Sequence, residues 1–288
     1  MALSRKQAVE NPIVMASGVC VHHGDVVALA PTDLSIGSGC ALALVGSNGS
    51  GKTTLLHLIA GLLQPTAGTI DIVGRVALVA QHQAHHPWMP LSVDEVLRMG
   101  RYRGLVHRLK RSDREAIDRA AERLEVAHLR RRAFGALSGG ERQRVLVAKA
   151  VASGAEVLLL DEPITGLDLP SQARILEVID EHARSGGTVV FSTHHLGEAS
   201  RADRVLLMAG CVLADGRPED VLYYFVLDGE PFIYKERVSP KGEVYEMYID
   251  NKGKSYLDGE ITEQLGLSVM GLRFSDVIDT IFNKEDSI

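Results

Sequence analysis

Two short apolar runs, "ALALV" at 41–45 and "VLLL" at 157–160, each end abruptly in glycine or polar residues. Runs of that length, bounded in that way, predict strands buried on both faces of a parallel sheet. The first passes through "GSNGSGK" into "TTLLHLIAGLL", whose apolar positions predict a helix. Helical spacing returns in "RSDREAIDRAAERL" at 111–124, with Ile117, Ala120, Ala121 and Leu124 on one face, and in "VLVAKAVA" at 145–152. Both of these open on a capping-box signature, Ser112 with Glu115 and Ser138 with Glu141. Strands alternating with helices predict an α/β fold.

After "GRPEDVL" the pattern changes. "EPFIYKERV", "EVYEMYID" and "SYLDG", divided by "SPKG" and "NKGK", predict a short β-meander, and "EITEQLGLSVMGLRFSDVIDTIF" predicts helix. Composition shifts at the same place. All 11 histidines precede residue 223, six of the 7 tyrosines lie from Tyr223 onward, and alanine disappears. Residues 223–288 are therefore expected to form a separate small α+β unit.

Of the 288 residues 45% are hydrophobic, enough for a real core and too many for a disordered chain. The formal net charge of −6 argues against a dedicated nucleic-acid binder, so no nucleic-acid partner is expected. Cys20, Cys40 and Cys211 are few, far apart and without metal-type spacing, which favours a reducing compartment over a disulfide framework. The opening "MALSRKQAVENPIV" lacks the apolar segment of a signal peptide, and no run approaches the length of a membrane span. A cytoplasmic location is expected, with any membrane role coming through a partner.

The glycine-rich loop adds chemistry. Gly46, Ser47, Asn48, Gly49, Ser50, Gly51, Lys52 and Thr53 match G-x-x-x-x-G-K-[ST] between a strand and a helix. Small residues let backbone N–H groups wrap a phosphate, Lys52 supplies a point charge between phosphates, and the Thr53 hydroxyl suits Mg²⁺. Thr54 either adds its hydroxyl or is simply a helix residue. "EVLLLDEP" delivers Asp161 and Glu162 from the end of a buried strand, where ligands bind in open α/β sheets. Asp161 is the candidate metal holder and Glu162 the candidate for orienting or deprotonating water. "LSGGERQR" at 137–144 opens a helix on two glycines, although glycine there costs about 1 kcal/mol relative to alanine. Either it is a capped helix with a tight entry, or the bare helix start is an anion site.

In order along the chain, Gly46 to Thr53, Gln81, "LSGGERQR", "VLLLDEP", "TGLD" at 165–168 and "STHH" at 192–195 resemble the ATP-binding cassette (ABC) ATPases. They correspond to Walker A, Q-loop, signature, Walker B, D-loop and switch, and the likeness spans residues 11–222. The resemblance implies a P-loop NTPase cassette, a RecA-like core with a helical subdomain at about 83–149. It implies ATP and Mg²⁺ as cofactors, and a head-to-tail dimer of two cassettes. In that dimer Ser138, Gly139 and Gly140 meet the γ-phosphate held by Lys52 of the other copy, both glycines giving a partner's nucleotide room to approach. It further implies that His194 contacts the γ-phosphate, that Gln81 senses metal and partner, and that Asp168 lies across the dimer. Lys52, Glu162 and His194 become the expected catalytic residues, and Thr53, Gln81 and Asp161 the expected Mg²⁺ ligands. Near "VHHGD" the family's adenine-stacking aromatic is matched by His23, which either stacks with less area or is simply a surface residue. The usual aspartate after the switch histidine is replaced by His195, to which no role is assigned.

"PLSVDEVLRMGRYRGL" and "VLLLDEPITGLD" are similar in wording to cassettes of zinc, manganese or iron-chelate uptake. That likeness implies an integral-membrane permease, an extracytoplasmic substrate-binding protein, and a place on the inner face of the cell membrane. An export cassette would share every catalytic residue, and a soluble cassette acting on DNA or ribosomes is the alternative from another class. His82, His85 and His86 beside Trp88 are either a permease-docking loop or a regulatory metal site. Arg130, Arg131 and Arg132 are either a solvated face or an attraction for a permease loop or anionic lipid. The tail is either a regulatory or dimer-contacting domain or an unrelated fusion.

Overall fold

The computed structural model describes residues 12–24, 26–81, 91–102 and 108–221, and four strands beyond them. The chain opens with β1 (Pro12–His23), β2 (Val26–Gly37) and β3 (Ala41–Val45), then α1 (Lys52–Ile59), β4 (Ala67–Ile72) and β5 (Val76–Val79). The helices α2 (Val93–Met99), α3 (Arg111–Arg123) and α4 (Gly139–Ala152) follow, then β6 (Val157–Leu160), α5 (Leu169–Arg184), β7 (Thr188–Thr193) and α6 (Leu196–Ala199). The cassette closes with β8 (Arg204–Met208), β9 (Val212–Gly216) and α7 (Pro218–Val221), and the tail contributes β10 (Tyr224–Leu227), β11 (Glu230–Val238), β12 (Val244–Asp250) and β13 (Ser255–Leu257).

A six-stranded sheet of order β5-β6-β7-β3-β8-β9 forms the centre, parallel except for the antiparallel edge strand β9. Every residue of β3, β6 and β7 is buried, because successive side chains enter different cores. Ala43, Val45, Leu158, Leu160, Val189 and Phe191 join α2, α3, α4 and α5 on one face. Leu42, Leu44, Val157, Leu159 and Val190 join α1 and the antiparallel sheet β2-β1-β4 on the other. The expected parallel strands are thus the centre of a two-sided core.

Ion pairs lace the helical segment together: Arg130 reaches Asp118 at 2.5 Å and Asp94 at 3.8 Å, and Arg132 reaches Glu141 at 3.2 Å. Two of the three consecutive arginines are therefore engaged within the chain. The start of α3 differs from expectation. Its cap is Lys110, whose N–H donates to Asp113 Oδ2 at 2.9 Å, while Glu115 pairs with Arg111 instead of closing a box with Ser112. Asp113 is buried with Arg101 3.8 Å away, and that pairing fixes the helix start two residues early.

In the tail, β10-β11-β12-β13 form a separate antiparallel meander whose register aligns Tyr234, Tyr248 and Tyr256 in one row. Three of its strands were expected and β10 was not; the helix expected at 260–282 lies outside the described residues.

Candidate active site

Parallel pairing places the C-terminal ends of β6, β7 and β3 side by side, Leu160 opposite Phe191 and Val45 opposite Thr193. What leaves those ends therefore converges. From β3 comes the glycine loop. Gly46 is packed so closely that a Cβ would lie 2.2 Å from Met208 O, and Gly51, at φ +95°, would put one 2.9 Å from Ala28 O. Only glycine fits either position. Gly51 caps α1 without a side-chain hydrogen bond, and no acidic residue stands in the first turn, so the positive end of that helix is left for an anion. Ser47, Asn48 and Gly49 form the exposed tip, whereas Ser50 is buried and its Oγ has no hydrogen-bond partner among the described residues.

Lys52 is only 5% exposed and folds back on the loop, its Nζ donating to Gly46 O at 2.6 Å and Ser47 O at 3.0 Å. Burial pulls its pKa below the usual lysine value, against the opposing pull of Glu162 and Asp161. A buried ammonium on carbonyls beside an orphaned hydroxyl is a set of donors suited to phosphate oxygens.

From β6 come the carboxylates. Asp161 accepts from Thr53 Oγ1 at 2.8 Å and from Ser192 Oγ at 2.5 Å, and the same Ser192 Oγ accepts the N–H of Glu162 at 2.8 Å. Glu162 sits at φ +46°, a sparsely populated conformation for a non-glycine residue that the neighbouring bonds hold in place. Its Oε2 accepts from Gln81 Nε2 at 2.6 Å and Thr165 Oγ1 at 3.3 Å, and its Oε1 lies 3.8 Å from His194 Nδ1. Lys52, Thr53, Gln81, Asp161, Glu162 and His194 thus share one cluster; Thr54 is half-buried on α1. Around His194, the His195 ring stands tilted with centroids 4.1 Å apart, and Thr193 Oγ1 donates to Glu198 Oε2 at 2.6 Å. Burial raises the Glu198 pKa. Glu198 was missed from sequence, and Ser192, the first residue of "STHH", was given no role there; its signal was a hydroxyl ending an otherwise apolar run.

Other candidates lie elsewhere. His23 is exposed at the tip of the β1–β2 hairpin, paired with Val26, just before the stretch of β2 that lines the glycine loop. Ser138 caps α4 in a complete box: its Oγ accepts from Glu141 N at 3.3 Å and its N–H donates to Glu141 Oε2 at 2.8 Å. Gly139 is exposed, and a Cβ there would meet nothing within 4 Å. Gly140 is different. A Cβ would lie 2.6 Å from Ser171 Oγ and 2.7 Å from Asp168 Oδ2, so the second glycine makes room for its own chain. Asp168 caps α5, its two oxygens accepting Ser171 N and Ser171 Oγ, each at 2.9 Å. The histidines at 82, 85 and 86 lie outside the described residues, and among the described ones no group of three metal-type side chains assembles.

Fold, loop, buried lysine and carboxylate pair define a P-loop nucleotide-binding protein. The ABC transporter family model matches residues 29–165. A hemin import ATP-binding protein of Streptomyces coelicolor is 39% identical over 222 residues, 73% of this chain and 79% of that one. A manganese transport system ATP-binding protein of Synechocystis sp. is 36% identical over 222 residues, 72% and 85% of the two chains. Among solved structures, an inward-facing ABC transporter described as of the metal-chelate type superposes with a TM-score of 0.69 at 28% identity, covering 83% of this chain and 98% of that one. The chain belongs to the ATP-binding subunits of the ABC transporters, a family of ATPases. Among the described residues no helix is long and apolar enough to cross a membrane.

Proposed function

We propose that this chain is the ATP-hydrolysing subunit of a transporter that imports zinc, manganese or an iron chelate, working from the inner face of the cell membrane. The observation that carries the catalytic part is Glu162, strained in backbone and held by Gln81 and Thr165 beside the buried Lys52. In this reading Lys52 exchanges the Gly46 and Ser47 carbonyls for phosphate oxygens, and the N–H groups of the loop wrap the β-phosphate. Glu162 orients the attacking water and accepts its proton, while His194, on the far side of that carboxylate, donates toward the γ-phosphate. The hydroxyl of Thr53, the Asp161 carboxylate it now bonds and the Gln81 amide are hard oxygen donors that fit Mg²⁺. That ion supplies neutralisation of phosphate charge.

The second half of the site comes, in this reading, from Ser138 and Gly139 of a head-to-tail partner cassette, and His23 lies against adenine. An integral-membrane permease and an extracytoplasmic substrate-binding protein complete the system. The cargo is argued from relatives, among them the hemin, manganese and chelated-iron transport proteins, the last from Yersinia pestis at 33% identity. Residues 11–222 are the cassette, 83–149 its helical subdomain, and 223–288 a regulatory or dimer-contacting appendage.

Glu162→Gln is expected to slow hydrolysis by about 10²- to 10⁴-fold while ATP still binds; normal turnover would remove Glu162 from this role. Uptake of labelled zinc, manganese and iron, in cells lacking the gene and complemented with wild type or Glu162→Gln, tests the cargo. Restoration of one metal by wild type alone is expected, and no difference for any metal would end the import reading.

A further inference from the structure

Ser171 is fully buried, yet its hydroxyl is not needed to start α5, because the Asp168 carboxylate already caps that helix through the Ser171 N–H. The hydroxyl does something else. It donates to the second oxygen of Asp168, and it accepts from Arg144 Nη1 on α4. Arg144 stands one turn beyond Gly140, on the same face of α4. Gly140 is the residue whose missing Cβ leaves room for Ser171 Oγ and Asp168 Oδ2. One hydroxyl is therefore the meeting point of the signature helix and the D-loop. The fixed contact is flanked by an open rim, on which Ser138, Gly139, Asp168 and Leu169 are all exposed, Leu169 at 78%.

We infer that Ser171 is a positioning residue: through Arg144 and Asp168 it locks the Ser138–Gly139 helix start and the Asp168–Leu169 loop into one rigid body presented to the partner cassette. The inference rests on the head-to-tail reading above. Two short loops that must dock together lose less freedom if their spacing is set beforehand. Asp168 accordingly meets the partner as a carboxylate already committed to Ser171. What the brace governs is closure of the dimer, with ATP held by the Lys52 loop of a single copy unaffected.

The full-length chain carrying Glu162→Gln is titrated with MgATP and its dimerisation followed by light scattering, alone and with Ser171→Ala or Arg144→Gln. A fluorescent ATP analogue, at protein concentrations below dimerisation, reads the affinity of the single copy. Arg144→Gln leaves the Asp168 cap of α5 intact, so it separates the brace from the cap. Both variants are expected to raise the dimer dissociation constant about tenfold, the cost of losing one buried hydrogen bond, with single-copy affinity unchanged. In the otherwise wild-type chain kcat falls while KM holds. The brace is refuted if Arg144→Gln dimerises like its parent, or if single-copy affinity falls in step with dimerisation. If the Glu162→Gln parent itself fails to dimerise, the head-to-tail reading falls and the inference with it.

Discussion

Two of the described helices have glycine at their start, and they use it differently. At α1 the cap is Gly51 in a left-handed conformation with no side-chain bond, and the next residue is a buried lysine. At α4 the cap is Ser138, whose box with Glu141 takes up one N–H of the first turn and its own. The first is left open for an anion; the second is largely closed by its own side chains. A glycine-rich helix start is thus not one kind of site. In α1 glycine serves the ligand and the close approach of Met208 and Ala28, whereas in α4 the two glycines divide the work, Gly139 facing outward and Gly140 facing α5.

Substitutions that add one carbon break this comparison most directly. The largest effect is expected at Gly46→Ala, where the added carbon meets a backbone oxygen at 2.2 Å that cannot swing aside. A loss of about 3 kcal/mol or more in unfolding free energy is expected from such overpacking, checked by urea denaturation together with loss of ATP binding. Gly140→Ala comes next. Its obstacles are the ends of two side chains, so the fold survives at a cost of about 1–2 kcal/mol while dimer-dependent ATPase activity falls. Gly139→Ala adds carbon to open space at a helical position and is expected to raise the unfolding free energy slightly, by up to about 1 kcal/mol, from the better helix propensity of alanine. Equal destabilisation by Gly139→Ala and Gly140→Ala would show that the division of labour is wrong.

Much of this difference was not legible beforehand. The buried strands β3 and β6 were, because both faces of a central strand demand an unbroken apolar run. So was the loop between β3 and α1, because backbone packing and phosphate binding both ask for small residues. The antiparallel β1 and β2 were not, since register shifts at Ala16/Val19 and Val19/Val21 interrupt the alternation that would mark them. Ser112 and Glu115 have the spacing of a box, but the burial of Asp113 decided where α3 starts. The reason for Gly140 lies on another helix. No local pattern around "LSGG" mentions Ser171, and none around Glu162 signals its φ of +46°.

The smallest expected effects concern the box itself. Ser138→Ala removes one capping acceptor and is expected to cost about 1 kcal/mol, a drop of roughly 2–4 °C in melting temperature for a domain of this size. Acid probes the same contact from the other partner. The pKa of Glu141 is held below the usual glutamate value, first by the N–H of Ser138, then by the Ser138 hydroxyl and by Arg132 and Arg144. Asp168 is likewise lowered, first by the N–H of Ser171 and then by its hydroxyl. A carboxylate whose folded pKa is depressed lends stability that is complete above its unfolded pKa, about 4, and is lost as pH falls through the lower folded value. The caps of α4 and α5 should therefore hold unchanged from neutral pH to about pH 5 and weaken only below the ordinary carboxylate range. Glu141→Gln leaves a neutral acceptor at the box, so its melting temperature should start slightly lower at about pH 7 and fall less steeply than wild type as pH drops below the ordinary carboxylate range. Parallel curves for the two proteins would mean that the charge of Glu141 contributes nothing to the α4 start, and that the box is held by geometry alone.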